Sequence, residues 1–291
     1  MEEKKDLLIP KHDLIFHALF KEENKRLTEA LISDILKEKV KIKTTDKDRY
    51  LNIKNPDQKF GIMDLRTELE DGTNCNIEIQ LAEYEYENER FLYYWADAYS
   101  RQLEKGDNYN SLHKTISIII LDHEIEVLKG CENLGTKWQI RDDKTGKRLL
   151  TEHLEIVIIE IPKALRLYKK NGNNKICQWM LFLNNPNESE VSKIMDENED
   201  IKEAIKELEE ISGDEELRRM AELRIKAIRD EQAAISLATK RGLEQGLEQG
   251  EKHGAKEKTI EIAKKMLNEK MNIETIAKIT GLSIEEIKKL Q

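Results

Sequence analysis

Within residues 61–80, GIMDLRTELEDGTNCNIEIQ, acidic and amide side chains recur two apart: Asp64 and Arg66, then Asn76, Glu78 and Gln80. Side chains two apart on an extended strand share a face. Ile62, Asp64, Arg66 and Glu68 therefore line one side of a first strand. Asn76, Glu78 and Gln80 line one side of a second, with Cys75, Ile77, Ile79 and Leu81 opposite. Two carboxylates brought together, with the Ile79 backbone carbonyl between Glu78 and Gln80, make a hard oxygen site of the kind that takes Mg²⁺ or Mn²⁺. Such an ion polarises a phosphodiester and lowers the pKa of a bound water. Alternation by itself favours a blander reading, a solvated hairpin with a charged outer face, because the signal Asp-x13-Glu-x-Gln is short.

The turn decides whether the acids meet. Asp71-Gly72 between the two runs is a hairpin signal. A two- or four-residue loop would put Asp64 and Glu78 on opposite faces. An odd loop, Asp71-Gly72-Thr73, pairs Glu70 with Asn74, Arg66 with Glu78 and Asp64 with Gln80, and brings both carboxylates to one face. A bulge with glycine in the left-handed region supplies the offset.

Other elements must hold this hairpin. Ile15, Phe16, Leu19 and Phe20, then Leu27, Leu31, Ile32, Ile35 and Leu36, predict two amphipathic helices within residues 13–39. Residues 40–60 are charged and contain Asn55-Pro56, so they form loop or a short edge strand. A helix is expected over about 83–105, with Phe91, Tyr94, Trp95, Ala98 and Leu103 at core spacing. TISIIIL (115–121) and LEIVIIEI (154–161) are continuous β-branched runs that suit strands covered on both faces, the second stopped by Pro162. A further strand is expected near 137–142. The order predicts an α/β fold with a mixed sheet and a core over 1–165. Beyond it lie an acidic helical region (166–240), a glycine-repeat linker (241–258) and a small helical tail (259–291).

The chain has 291 residues and 37% charged side chains, with 49 Lys+Arg against 58 Asp+Glu. Between Glu188 and Glu216 there are 13 acidic and 3 basic residues, so the net charge of -9 belongs to that segment and the remainder is close to neutral. A local positive groove for DNA is therefore compatible with the overall acidity. No apolar run reaches the roughly 18 residues that span a bilayer. Cys75, Cys131 and Cys177 form no paired motif, and the start carries no secretory stretch. These features suit a cytoplasmic protein with no membrane partner.

In its order of segments the chain resembles the PD-(D/E)XK nuclease-family transposases, also called recombination-promoting nucleases. The resemblance starts at Lys11-His12-Asp13 with Phe16 and Leu19-Phe20, and continues through Asp64-x-Arg66, Asp71-Gly72 and Asn76-Ile77-Glu78-Ile79-Gln80. Arg90-x-x-Tyr93-Tyr94, Gln102-Leu103-x-x-Gly106 and Tyr109 follow, then Leu154-Glu155-Ile156, Glu160-Ile161-Pro162-Lys163 and Trp179-x-x-Phe182-Leu183. It closes with the Gly-x-x-x-Gly tail and Ile279-Thr280-Gly281-Leu282-Ser283. His17 and Lys21 depart from the family's usual lysine and glycine. The resemblance implies a restriction-endonuclease-like core, a bacterial source, and metal-dependent DNA cleavage linked to recombination or mobile DNA. It implies Asp64 and Glu78 as metal-binding acids and Gln80 in place of the generic lysine. An amide orients a water or phosphate but brings no positive charge, so Arg66, and after it Arg90, are the candidates for the lost cation. Asp13 is similar to the helical acid that completes many such sites, and Gln102 to a substrate-directed glutamine, although a structural role fits Gln102 equally.

Two features have structural readings. The ending IETIAKITGLSIEEIKKL fits a helix-turn-helix template, yet its would-be reading helix carries Glu285 and Glu286, which repel phosphate. A packing or regulatory module is the preferred reading; self-association through the acidic segment and glycine repeat of the helical C-terminal region is a separate, third hypothesis. Tyr93, Tyr94 and Trp95 have the character to stack on bases, and core packing explains them as well. The competing function is a non-catalytic DNA-binding or assembly protein on a nuclease fold.

Overall fold

A computed structural model describes residues 6–45, 65–170 and 174–290. Asp64, and with it half of the expected acidic pair, lies outside them. Among the described residues a six-stranded sheet runs in the order β1-β2-β3-β4-β6-β5. The strands are β1 (Ile42–Thr45), β2 (Leu65–Leu69), β3 (Asn74–Gln80), β4 (Thr115–Leu121), β5 (Thr136–Trp138) and β6 (Leu154–Glu160). β3, β4 and β6 are parallel neighbours, and the remaining pairings are antiparallel. The sheet is mixed, as expected, and consistent with a PD-(D/E)XK nuclease fold. β1 is the short edge strand allowed for in residues 40–60.

β4 and β6 are buried at every position. Their isoleucines and valine have few rotamers to lose in a pleated, two-sided environment, which is why these runs become central strands. Parallel strands need a crossover, and α3 (Glu87–Ser100) provides one between β3 and β4. Phe91 and Trp95, four residues apart on its inner face, pack with Ile119, Leu121, Leu154, Ile156 and Ile158. The Trp95 indole N–H donates to the Thr115 carbonyl at 2.8 Å, fixing α3 over the start of β4.

The opposite face carries the main core. There Cys75, Ile77, Ile116, Ile118, Ile120, Val157 and Ile159 meet α1 (Asp13–Leu19), α2 (Lys25–Leu36), α4 (Ile161–Lys170), α5 (Lys175–Asn184), α6 (Ser189–Glu197) and α7 (Glu199–Gly213). Pro162 does more than stop β6. It sits in the first turn of α4, where a missing N–H costs nothing and φ is already set for helix. Residues 166–213 thus share the core of the sheet and do not form a region of their own. Trp179 and Phe182 are fully buried in it.

Contacts divide the chain into units at residues 1–225 and 226–291, a boundary that falls inside α8 (Glu215–Asn268). The segment expected as a glycine linker continues that helix. Each of its glycines costs about 1 kcal/mol relative to alanine, and nothing lies within 4 Å of where a Cβ would stand on Gly242, Gly246, Gly250 or Gly254. Packing among the described residues gives no reason for them. In the second unit, Ala263 of α8, Ile276 of α9 (Ile273–Thr280) and Ile287 of α10 (Ile284–Lys288) make a small core. Among the described residues no helix is long and apolar enough to cross a membrane.

The strand expected over 137–142 ends at Trp138. The Asp142 carboxylate accepts from the Arg148 and Thr145 backbone N–H groups, both at 2.8 Å, and folds the chain into a turn there.

Glu29 of α2 ties β1 to this framework. Burial works against its charge, but the Lys41 ammonium at 2.7 Å and the Ile42 N–H at 2.9 Å outweigh it and hold the carboxyl below its ordinary value. A carboxyl depressed in the folded state stabilises above its unfolded pKa, and that contribution is lost as pH falls through the folded value. Glu29→Gln should therefore lower the urea midpoint at neutral pH, and the difference from wild type should shrink on acidification below about pH 4.

Candidate functional site

The β2–β3 hairpin sets the site. Its register differs from the expected one by two residues: Arg66 stands opposite Asn76, and Glu68 opposite Asn74. The cause is the position of the glycine. A three-residue hairpin loop is a type I turn followed by a left-handed residue, so Gly72, at φ 85°, must be the last residue of the loop. The loop is Glu70-Asp71-Gly72, closed by Gly72 N–H to the Leu69 carbonyl at 3.0 Å and Leu69 N–H to the Thr73 carbonyl at 2.8 Å. Asp71 accepts the Thr73 N–H at 2.9 Å. A Cβ on Gly72 would also stand 2.7 Å from the His113 ring. Because the offset is even, Arg66 and Glu68 still share a face with Asn74, Asn76, Glu78 and Gln80.

On that face Glu78 and Gln80 are 5% and 4% exposed, far more enclosed than a solvated hairpin face would be. The Gln80 Nε2 donates to the Glu78 Oε1 at 2.6 Å, while the Gln80 Oε1 is buried with no hydrogen-bond partner among the described residues. A buried amide oxygen left without a donor costs about 1–3 kcal/mol. Beside a carboxylate it suits a hard cation or a water bound to one. The Asp122 N–H donates to the Gln80 carbonyl at 2.9 Å on the β4 side. Carbonyls alternate along a strand, so the Ile79 carbonyl turns to the β2 side, away from β4. Among the described residues no three His, Cys, Asp or Glu side chains form a metal-sized group.

The other expected residues are held as follows. Arg66 is half-buried and lines a cleft of about 380 Å³ with Asn74, Asn76, Arg101 and Gln102. Arg90 lies over the Tyr84 ring at 4.0 Å and 5.7 Å from that of Tyr94. Asp13 is bound by Arg224 of α8, within the first unit, and accepts the Leu14 N–H at 2.7 Å. Gln102 braces the strand entry: its Nε2 reaches the Thr115 hydroxyl at 2.9 Å and its Oε1 accepts the His113 N–H at 2.8 Å. Trp95 is core, whereas Tyr93 is exposed.

Two groups escaped sequence reasoning. Lys11 reaches both Asp122 carboxylate oxygens at 2.8 Å and the Asn184 amide oxygen at 2.9 Å, so it steadies the residue that caps the end of β3. Its place in the opening Lys-x-Asp was the available signal. His123 and Glu87 pair at 2.8 Å across the start of α3, and no spacing rule points to them.

The model of the PD-(D/E)XK nuclease family transposases matches residues 10–238. The chain belongs to this family. The C-terminal helix-turn-helix domain of the Rpn/YhgA-like nuclease family matches residues 256–291. Comparison with curated proteins and with solved structures gives no match. Family membership supports a nuclease or mobile-DNA role, and divalent metals are general among PD-(D/E)XK nucleases. The second match identifies the tail as a helix-turn-helix domain rather than only a packing module. Its Glu286 is engaged in a capping box, where the Ser283 N–H and hydroxyl hold the carboxyl below its ordinary value. Gln102 ties the exposed His113 backbone and the Thr115 hydroxyl at the mouth of β4. Gln102→Ala should cost about 0.5–1.5 kcal/mol, measured by urea unfolding.

Proposed function

We propose that the protein is a divalent-metal-dependent DNA endonuclease whose site is built on the polar face of β2 and β3. The observation that carries this reading is the enclosed Glu78–Gln80 pair with its unsatisfied amide oxygen. Glu78, with Asp64 and the Ile79 carbonyl, would hold the cation. Bound there, Mg²⁺ or Mn²⁺ would polarise the scissile phosphodiester and acidify a water. Gln80 keeps its Nε2 on Glu78 and turns its Oε1 to the water's proton. Arg66 supplies the positive charge that the amide lacks, and Arg90, held against the Tyr84 and Tyr94 rings, is the second candidate. Asp13 and Gln102 support the framework. DNA is the partner of both units, and the family match supports a link to mobile DNA, with recombination as its proposed setting.

Nicking of supercoiled plasmid tests this. Wild type should nick with Mg²⁺ or Mn²⁺ and not with EDTA, and Glu78→Gln should lose about 10²-fold or more in rate at unchanged melting temperature. Arg66→Ala should lose activity without losing the fold. DNA binding with no nicking under any divalent metal would favour the non-catalytic alternative.

The two family matches end at 238 and begin at 256, which supports a division near Lys240. A chain ending at Lys240 should keep metal-dependent nicking and need more DNA for half-maximal rate. Loss of folding or of all cleavage would place the tail inside the catalytic unit. The tail also offers the surface for any self-association, and sedimentation of the two lengths would reveal it.

A further inference from the structure

The cleft along β2 and β3 extends the polar face beyond Glu78 and Gln80. It has a volume of about 380 Å³, enough for a small ligand group, and its walls are Thr44, Arg66, Asn74, Asn76, Arg101 and Gln102. Gln102 is occupied by His113 and Thr115, so it forms a wall only. Glu68, also at the cleft, has its charge met by Lys43 at 2.7 Å. Arg101 uses its Nε on Asp97, which leaves its outer nitrogens available. The Asn74 and Asn76 amides are half-buried and make no side-chain hydrogen bond among the described residues. Two guanidinium groups and two half-enclosed amides are a poor lining for an apolar group and a good one for a nucleotide. Guanidinium forks hold phosphate oxygens, and asparagine amides pair with base edges, adenine above all.

We propose that this cleft is a subsite for a nucleotide flanking the cut, with the phosphate on Arg66 and Arg101 and the base edge on Asn74 and Asn76. The inference rests on the nuclease reading above and names where that site grips its substrate. The spacing agrees. A strand advances about 3.3 Å per residue and B-DNA about 3.4 Å per nucleotide. Asn76, two residues from Glu78, therefore stands one or two nucleotides from the phosphate at the metal acid.

The test is to map cut positions by the full chain on end-labelled duplexes of varied sequence, and to measure the DNA concentration that half-saturates nicking. Asn76→Ala and Asn74→Ala should relax the base preference one or two nucleotides from the cut. Arg101→Ala, at an exposed position that the fold does not need, should raise the half-saturating concentration by about tenfold, the equivalent of 1.4 kcal/mol, and leave the base preference alone. A cut pattern and half-saturation identical to wild type in all three variants would overturn the subsite and leave the nuclease reading standing. A wild-type chain that never nicks would overturn both. If Glu78→Gln still nicks, the catalytic assignment falls, while the altered maps of the asparagine variants still uphold the subsite.

Discussion

β3 has to satisfy two solvents at once, and the rest of the structure follows from how it does so. Cys75 and Ile77 enter the helix-covered core, where burying an isoleucine contributes about 1.5–3 kcal/mol. Their neighbours Glu78 and Gln80 are turned by the same alternation to the other face and are nearly as enclosed. An enclosed carboxylate is tolerated only with partners. The strand cannot twist away to hydrate them, because β2 and β4 hold it on both sides and its apolar set anchors it to the helices. The acid and amide are thus kept where water would ordinarily be preferred, and the Gln80 Oε1 is left there without a donor among the described residues.

The supports for β3 are of two kinds. The hairpin fixes its register through one glycine, and the even offset keeps Arg66 on the face of Glu78. The crossover fixes its depth: α3 is pinned in its second half by the Trp95 indole on the Thr115 carbonyl and just past its C-terminus by Gln102 on the 113–115 segment. The far end of β3 is closed by Asp122, itself held by Lys11 from the chain's opening. Residues more than a hundred positions apart therefore converge on one strand end.

Much of this was legible in the residue pattern. TISIIIL and LEIVIIE could be read as central strands because a continuous β-branched run has no other low-energy home. The shared face of Glu78 and Gln80 followed from parity alone, and Arg66 joins them only because the loop at Asp71-Gly72 is odd. The exact register did not, because it depended on whether Gly72 or Thr73 closes the loop, and only the left-handed backbone requirement decides between them. The core boundary was placed too early since α4–α7 are amphipathic, and amphipathicity does not say which surface a helix covers. The pairing of Glu87 with His123 was invisible because the two come from distant elements with no fixed spacing.

The family match carries the chemistry only as far as a class, and the site's own residues must carry the rest. Direct titration of Mn²⁺, followed by electron paramagnetic resonance of the free ion, tests the central claim that Glu78 is a metal ligand. One ion should bind per wild-type chain, and Glu78→Gln should abolish or strongly weaken that binding while the fold is retained. Mn²⁺ binding that is absent from the wild type, or unchanged in Glu78→Gln, would contradict the account.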